Sequence, residues 1–147
     1  FLMKNDFSIR RMTENDISFF NEVRNSCCEY LHDKNKYSLE ESKQWFKHKN
    51  PKYYIVSYKG QDIGYFRTHF KKEKFFIGLD IAKKFRGKKL AVKAYETFFE
   101  NFTNKNFYLY VDKNNTRAYS LYIKLGFKKI KEVQINGLAS FEMVLKR

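Results

Sequence analysis

The stretch Ile77-Gly78-Leu79-Asp80-Ile81-Ala82-Lys83-Lys84-Phe85-Arg86-Gly87-Lys88-Lys89-Leu90-Ala91 reads as a strand that passes through a short basic loop into a helix. A turn of this kind aims free backbone N–H groups and the positive end of a helix dipole at one spot. Anions bind there, and a pyrophosphate suits the site. Arg86 and Gly87 let the backbone come close to phosphate oxygens, while Lys88 and Lys89 add charge at the rim. A solvated structural turn would look the same, so the loop needs a second feature to acquire meaning. It is not a Walker loop, because the Gly-Lys-Ser/Thr ending is missing.

Upstream of this stretch the pattern is that of strands. Segments 53–58, 63–70 and 74–81 are joined by tight turns at 59–62 and 71–73, which predicts an antiparallel meander. Before them, 7–12 alternates as a short strand. Thr13 with Asp16 resembles a capping box and opens a helix running to about Cys28. Ser38 with Glu41 repeats the signal for a second, short helix that stops before Pro51. Downstream, 87–102 takes a helical period, with Leu90, Ala94, Tyr95, Phe98 and Phe102 near one face. A strand at 107–111 follows, then a helix that Asn115 or Thr116 caps and Gly126 ends. Segments 127–135 and 139–145 pair as a hairpin around Asn136-Gly137.

These elements belong to one domain spanning 1–147, with no repeat, linker or low-complexity segment. A chain of this length buries roughly 68–70% of the surface its unfolded form exposes, enough for a core without a metal or disulfide staple. At 43% hydrophobic and 19% aromatic residues, disorder is excluded as the main state. No apolar run approaches the ~20 residues of a membrane span, and the first six residues are too short and polar for a secretory signal. The cytosol is the expected setting. Phe1 and Leu2 precede Met3, which leaves open whether they are native. Nothing in the sequence specifies an oligomeric state.

Cys27 and Cys28 are adjacent and cannot bridge distant parts of the chain. Cys28 and His32 have helical i, i+4 spacing, but His48 and His69 add no ligand spacing, so no metal is expected. Thirty Lys and Arg against 16 Asp and Glu leave a net charge of +14. Part of that excess accompanies a composition rich in Lys, Asn, Ile, Phe and Tyr and carries no functional message. Physically it sets up a positive field that concentrates anionic ligands.

The second informative stretch is Val111-Asp112-Lys113-Asn114-Asn115-Thr116-Arg117-Ala118-Tyr119-Ser120-Leu121-Tyr122-Ile123-Lys124-Leu125-Gly126-Phe127. By itself it is a capped helix that packs Ala118, Leu121, Tyr122 and Leu125 on a sheet. Together with the basic loop, it resembles the GNAT superfamily of acyl-CoA-dependent N-acetyltransferases. Members carry an Arg/Gln-x-x-Gly-x-Gly/Ala loop after the fourth strand and an Asn-x-Arg-Ala-x-x-Leu-Tyr-x-Lys-Leu-Gly-Phe segment further on. Asn115, Arg117, Ala118, Leu121, Tyr122, Lys124, Leu125, Gly126 and Phe127 match the second motif. Arg86 and Ala91 match the first, with Lys89 where the family usually has its middle Gly.

The resemblance covers nearly the whole chain and implies an α/β (α+β) fold. Its sheet would be mixed, mostly antiparallel, with about seven strands and four helices, splayed between the fourth and fifth strands. It implies acetyl-CoA as cosubstrate, held by Leu79, Ile81, Arg86, Gly87, Lys88, Lys89, Leu90, Ala91, Asn115, Arg117, Ala118 and Tyr122. Tyr122 occupies the family position from which a phenol protonates the leaving thiolate, and a backbone N–H near 79–81 stabilises the oxyanion. Asp80, the nearest carboxylate on the cofactor strand, is the candidate base; a surface or turn carboxylate is the alternative. Arg67 and His69 share a strand face with Tyr65, and together with Glu29 and His32 they are the candidates for the acceptor site.

The expected acceptor is a primary amine, with an anionic carrier favoured by the field. An amino group on a nucleotide-linked sugar fits the charge. A protein N-terminus fits the likeness of 38–46 to the second helix of members that modify ribosomal protein N-termini or amino sugars. A polyamine fits worst, because like charges repel. The runner-up is a basic α/β nucleic-acid-binding module with Tyr65, Phe66, Tyr108 and Tyr110 as stacking platforms, although no stretch fits the RNP aromatic signature.

Overall fold

The computed structural model describes residues 6–147; the readings of Phe1, Leu2 and the leader rest on residues 1–5 and lie outside them. Seven strands form one sheet in the order β1-β2-β3-β4-β5-β7-β6. They are β1 Phe7–Arg11, β2 Tyr54–Tyr58, β3 Gln61–Lys71, β4 Lys74–Ile81, β5 Phe107–Asp112, β6 Lys128–Ile135 and β7 Leu138–Leu145. Neighbours are antiparallel except β4 and β5, which run parallel. The tight turns have left-handed residue pairs, Lys59-Gly60, Lys72-Glu73 and Asn136-Gly137, which match the strand twist.

Four α-helices complete the fold: α1 Ile17–Cys27, α2 Leu39–Lys49, α3 Ala91–Asn101 and α4 Thr116–Leu125. Both expected capping boxes form, Thr13 with Asp16 and Ser38 with Glu41. The Thr13 box opens a short 3-10 turn at Glu14–Asp16 that leads into α1. Gly126 closes α4 at φ +103°. The helix expected over 87–102 is shorter than its periodicity predicts. Gly87 at φ +74° and Lys89 at φ +59° are left-handed, which no α-helix tolerates, so α3 begins only at Ala91.

The centre of the sheet, β2 to β4, is largely buried because its strands alternate between two cores. Tyr65 packs with Met12, Ile17, Phe20 and Val23 beneath α1 and α2. Its neighbour Phe66 joins Val56, Phe98, Phe107 and Phe127 on the opposite face, where α3 and α4 lie. β4 must therefore approach β3 closely, and Gly64 permits it: a Cβ there would sit 2.1 Å from the Asp80 carbonyl oxygen. Gly64→Ala is expected to cost about 2 kcal/mol through backbone displacement. The melting temperature should fall by roughly 4–8 °C, and an unchanged Tm would refute the close contact.

Candidate functional site

β4 and β5 are paired at two positions only, Phe75 with Phe107 and Phe76 with Tyr108. Beyond them the strands part, and a cleft of about 1640 Å³ opens between the halves of the sheet. It is lined by most of the residues singled out from the sequence: Leu79, Ile81, Arg86, Gly87, Lys89, Leu90, Ala91, Asn115, Arg117, Ala118 and Tyr122, together with His32, Arg67, His69 and Asp80. Two of the expected residues fall outside this lining. Lys88 is exposed at the crest of its loop and does not line the cleft. Glu29 lies in the 3-10 turn Cys28–Tyr30 that ends α1 and also stays outside, exposed to solvent.

The loop end leaves backbone groups exposed to the cleft. Ser38 and Asn115 close the first turns of α2 and α4 with side-chain oxygens, whereas Leu90 precedes α3 and provides no such cap. The first N–H groups of α3 consequently face the cleft without side-chain partners. Gly87 has open space where a Cβ would stand, and Lys89 adopts a left-handed backbone that glycine takes at no steric cost. The Arg86 side chain is held by the protein itself, which leaves its backbone, with that of Gly87, to line the cleft. Its Nε donates to the Ile81 carbonyl at 3.0 Å, and one terminal nitrogen reaches the Ser26 carbonyl, the Ser26 hydroxyl and the Cys27 thiol at 3.0 Å each. Arg86 thus braces the loop against the end of α1. Asn115 likewise spends its Oδ1 on the Ala118 N–H at 3.2 Å, as a helix cap.

At the other end, Arg67 lies across Gly78, its cross-strand partner. A Cβ on Gly78 would fall 2.3 Å from the guanidinium, so this glycine makes the groove that the arginine occupies. Arg67 Nε sits 3.2 Å from Asp80 Oδ2, with the Arg67 side chain 38% exposed and Asp80 buried. Asp80 is therefore no surface or turn carboxylate. Burial opposes the Arg67 charge, but Asp80 and the phenols of Tyr53, Tyr65 and Tyr122 outweigh it and raise its pKa. Burial, reinforced by Asp80, pushes the Tyr65 phenol well up. Burial also pushes Tyr122 up, so its phenol stays protonated at neutral pH. His32 and His69 are both held below the usual imidazole range by burial.

The segment joining α1 to α2 ties the halves of the cleft together. His32 Nε2 lies 2.7 Å from the Ser140 hydroxyl of β7, and Asn136 Nδ2 donates to the His32 carbonyl at 3.2 Å. His69 stacks on Phe76, which also stacks on Tyr110 across the gap. Among the described residues, the buried side-chain polar atoms without a hydrogen-bond partner are Tyr65 Oη, Arg67 Nε, Asp80 Oδ2 and Tyr95 Oη. All belong to residues lining this one cleft. Two of these atoms, Arg67 Nε and Asp80 Oδ2, face each other in the ion pair without good hydrogen-bond alignment, so the cleft wall holds polar groups whose bonding is incompletely formed.

Tyr95, Gly78, Ser140 and Asn136 escaped the sequence reading. Tyr95 looked like one more core aromatic; its signal was a hydroxyl on a helix face otherwise made of Phe, Leu and Ala. For Gly78 the signal was a glycine inside an apolar strand. Among the described residues no three His, Cys, Asp or Glu side chains converge as metal ligands, and no helix is long and apolar enough to cross a membrane. Tyr65 and Phe66 are fully buried, so half of the stacking platforms of the nucleic-acid reading are inaccessible.

Residues 17–127 match the acetyltransferase (GNAT) family. No curated protein sequence matches the chain at a significant level. Among solved structures the chain is similar to an aminoglycoside acetyltransferase, AAC(6')-Ib, in complex with ribostamycin and coenzyme A, at 20% identity and TM-score 0.81 over 97% of this chain and 94% of that one. It is also similar to spermidine N-acetyltransferase from Vibrio cholerae in complex with CoA and spermine, at 20% identity and TM-score 0.79 over 95% of each chain. A ribosomal-protein-alanine N-acetyltransferase from Brucella melitensis matches at 18% identity and TM-score 0.77 over 95% of this chain and 99% of that one.

Proposed function

The chain belongs to the acetyltransferase (GNAT) family, and from that premise we propose that this enzyme transfers the acetyl group of acetyl-CoA to a primary amine on a nucleotide-linked sugar or a protein N-terminus. The observation that carries the reading is the parting of β4 from β5 after two pairs, with an uncapped helix start at one end of the gap and an Arg67–Asp80 pair at the other. When bound, acetyl-CoA supplies an acyl carbon activated by its bond to sulfur. The N–H groups at the start of α3, with Lys89 and Arg117, suit its pyrophosphate, and the edge of β4 beyond Phe76 offers backbone groups to the pantetheine amides.

The residues of the chain then divide the work. A backbone N–H of 79–81 stabilises negative charge on the acyl oxygen. Asp80 Oδ2, buried and ion-paired but without a well-formed hydrogen bond, accepts the proton that the attacking nitrogen gives up. Tyr122 gives its hydroxyl proton to the sulfur as that atom leaves with the bonding pair. A free phenol titrates near ~10 and a thiol near ~8.5, so the transfer is uphill and needs support from its surroundings. Arg67, partly exposed on the cleft floor, adds to the +14 field and disfavours a second positive charge on the acceptor.

The test is an acceptor panel followed by release of free thiol, with thermal melting alongside. Coenzyme A at about 100 times its Kd is expected to stabilise the fold by about 2.7 kcal/mol. Thiol release should be fastest with a nucleotide-linked amino sugar or an N-terminal peptide. Faster turnover of spermine or ribostamycin would replace this acceptor assignment. No thiol release with any amine, and no melting shift with coenzyme A, would reject the transferase reading itself.

A further inference from the structure

Tyr95 projects from α3 into a core of Phe66, Phe98 and Phe99 and is 1% exposed. Nothing in that packing needs a hydroxyl: the Tyr95 ring meets Phe66 edge-on at 5.3 Å and Phe99 at 5.9 Å, contacts that phenylalanine would make equally well. Tyr95 nonetheless lines the cleft, and its buried hydroxyl has no well-formed partner. An unsatisfied buried hydroxyl costs about 1–3 kcal/mol. The phenol beside it is Tyr122 of α4, whose ring stands at 87° to that of Tyr95 with centroids 6.1 Å apart. Catalytic hydrogen bonds are often long or misaligned in the free protein and tighten with the ligand in place.

We propose that Tyr95 is a positioning residue whose buried hydroxyl donates a hydrogen bond to the Tyr122 phenol oxygen, leaving the Tyr122 proton free to point at the departing sulfur. The proposal rests on the reading of Tyr122 as the acid. Tyr122 passes its proton to the sulfur, which keeps the electron pair of the broken bond. Tyr95 keeps its own proton and holds the phenolate that remains, and solvent restores the Tyr122 proton. The titratable and charged groups that act on Tyr122 are Tyr95 from α3, Arg67 from β3 and Asp80 from β4. Burial makes Tyr122 a poorer acid, Tyr95 and Arg67 act in the opposite direction, and Asp80 sides with burial. Tyr95 therefore counters the desolvation that an enclosed phenol suffers.

Placing 3,5-difluorotyrosine at position 122 brings that phenol's ionisation near neutrality, where fluorine NMR follows it without alkaline unfolding. In Tyr95→Phe the ionisation of residue 122 should rise by about one pH unit in the free protein, and by at least as much with coenzyme A bound. With the natural tyrosine at 122, Tyr95→Phe should lower kcat about tenfold and leave KM for acetyl-CoA unchanged, with a melting temperature no lower than that of the wild type. An unmoved fluorine titration overturns the proposal whatever happens to kcat. Undiminished turnover in Tyr122→Phe would instead remove the acid assignment, while the titration still reports on the hydrogen bond itself.

Discussion

Replacing Tyr122 with Phe is expected to lower kcat by about 10²- to 10⁴-fold, the usual contribution of a positioned acid, with KM for acetyl-CoA nearly unchanged. The ring remains packed edge-on against Tyr95 and Phe127, so the fold loses no apolar contact. What disappears is the proton donor to the sulfur. The pH profile provides an independent check. An acid must be protonated to act, so the wild-type rate falls as pH rises through the Tyr122 pKa, which burial holds above the ordinary phenol value. In Tyr122→Phe that alkaline fall should vanish along with most of the rate. Full activity at every pH would show that water protonates the thiolate.

Phe98→Ala is expected to have the largest effect on stability. Phe98 is fully buried and stacks on Phe66 at 4.2 Å, with Phe102 and Phe107 also in ring contact. Removing a ring from the centre of that cluster costs about 3–5 kcal/mol, against a net stability of about 5–15 kcal/mol for a domain. Melting should fall by roughly 6–20 °C, and denaturant unfolding would check the figure. Because α3 carries both Phe98 and the uncapped helix start proposed to hold the pyrophosphate, coenzyme A should recover part of the loss. A shift under 2 °C would mean that the aromatic cluster closes over the gap.

The elements were legible in the sequence where local chemistry is strong. Capping boxes at Thr13 and Ser38, left-handed turn pairs at Lys59-Gly60 and Asn136-Gly137, and Gly126 past α4 all act within a few residues. The start of α3 was misplaced because Leu90, Ala94 and Phe98 keep helical spacing while Gly87 and Lys89 bend the backbone out of the helix. That the basic loop from β4 into α3 lines the cleft was equally legible, since it is a local turn. The acceptor end was not. Asp80 looked like a carboxylate of unknown exposure; its burial depends on Arg67 lying over Gly78, a relation between two strands that no single segment reveals. His32 was assigned to the acceptor site, and its bond to Ser140 spans 108 positions. Arg86 was identified by motif, but the direction of its side chain depended on where α1 ends.

Among the described residues, two rungs of backbone pairing, Phe75 to Phe107 and Phe76 to Tyr108, join the four-stranded half of the sheet to its three-stranded half, and side chains such as His32 with Ser140 and Lys74 with Glu142 supply the remaining links. Such a seam lets the halves breathe about one end. A ligand laid along the gap would act as a splint, and slower amide exchange in both halves would follow from occupancy alone, before any bond is made or broken.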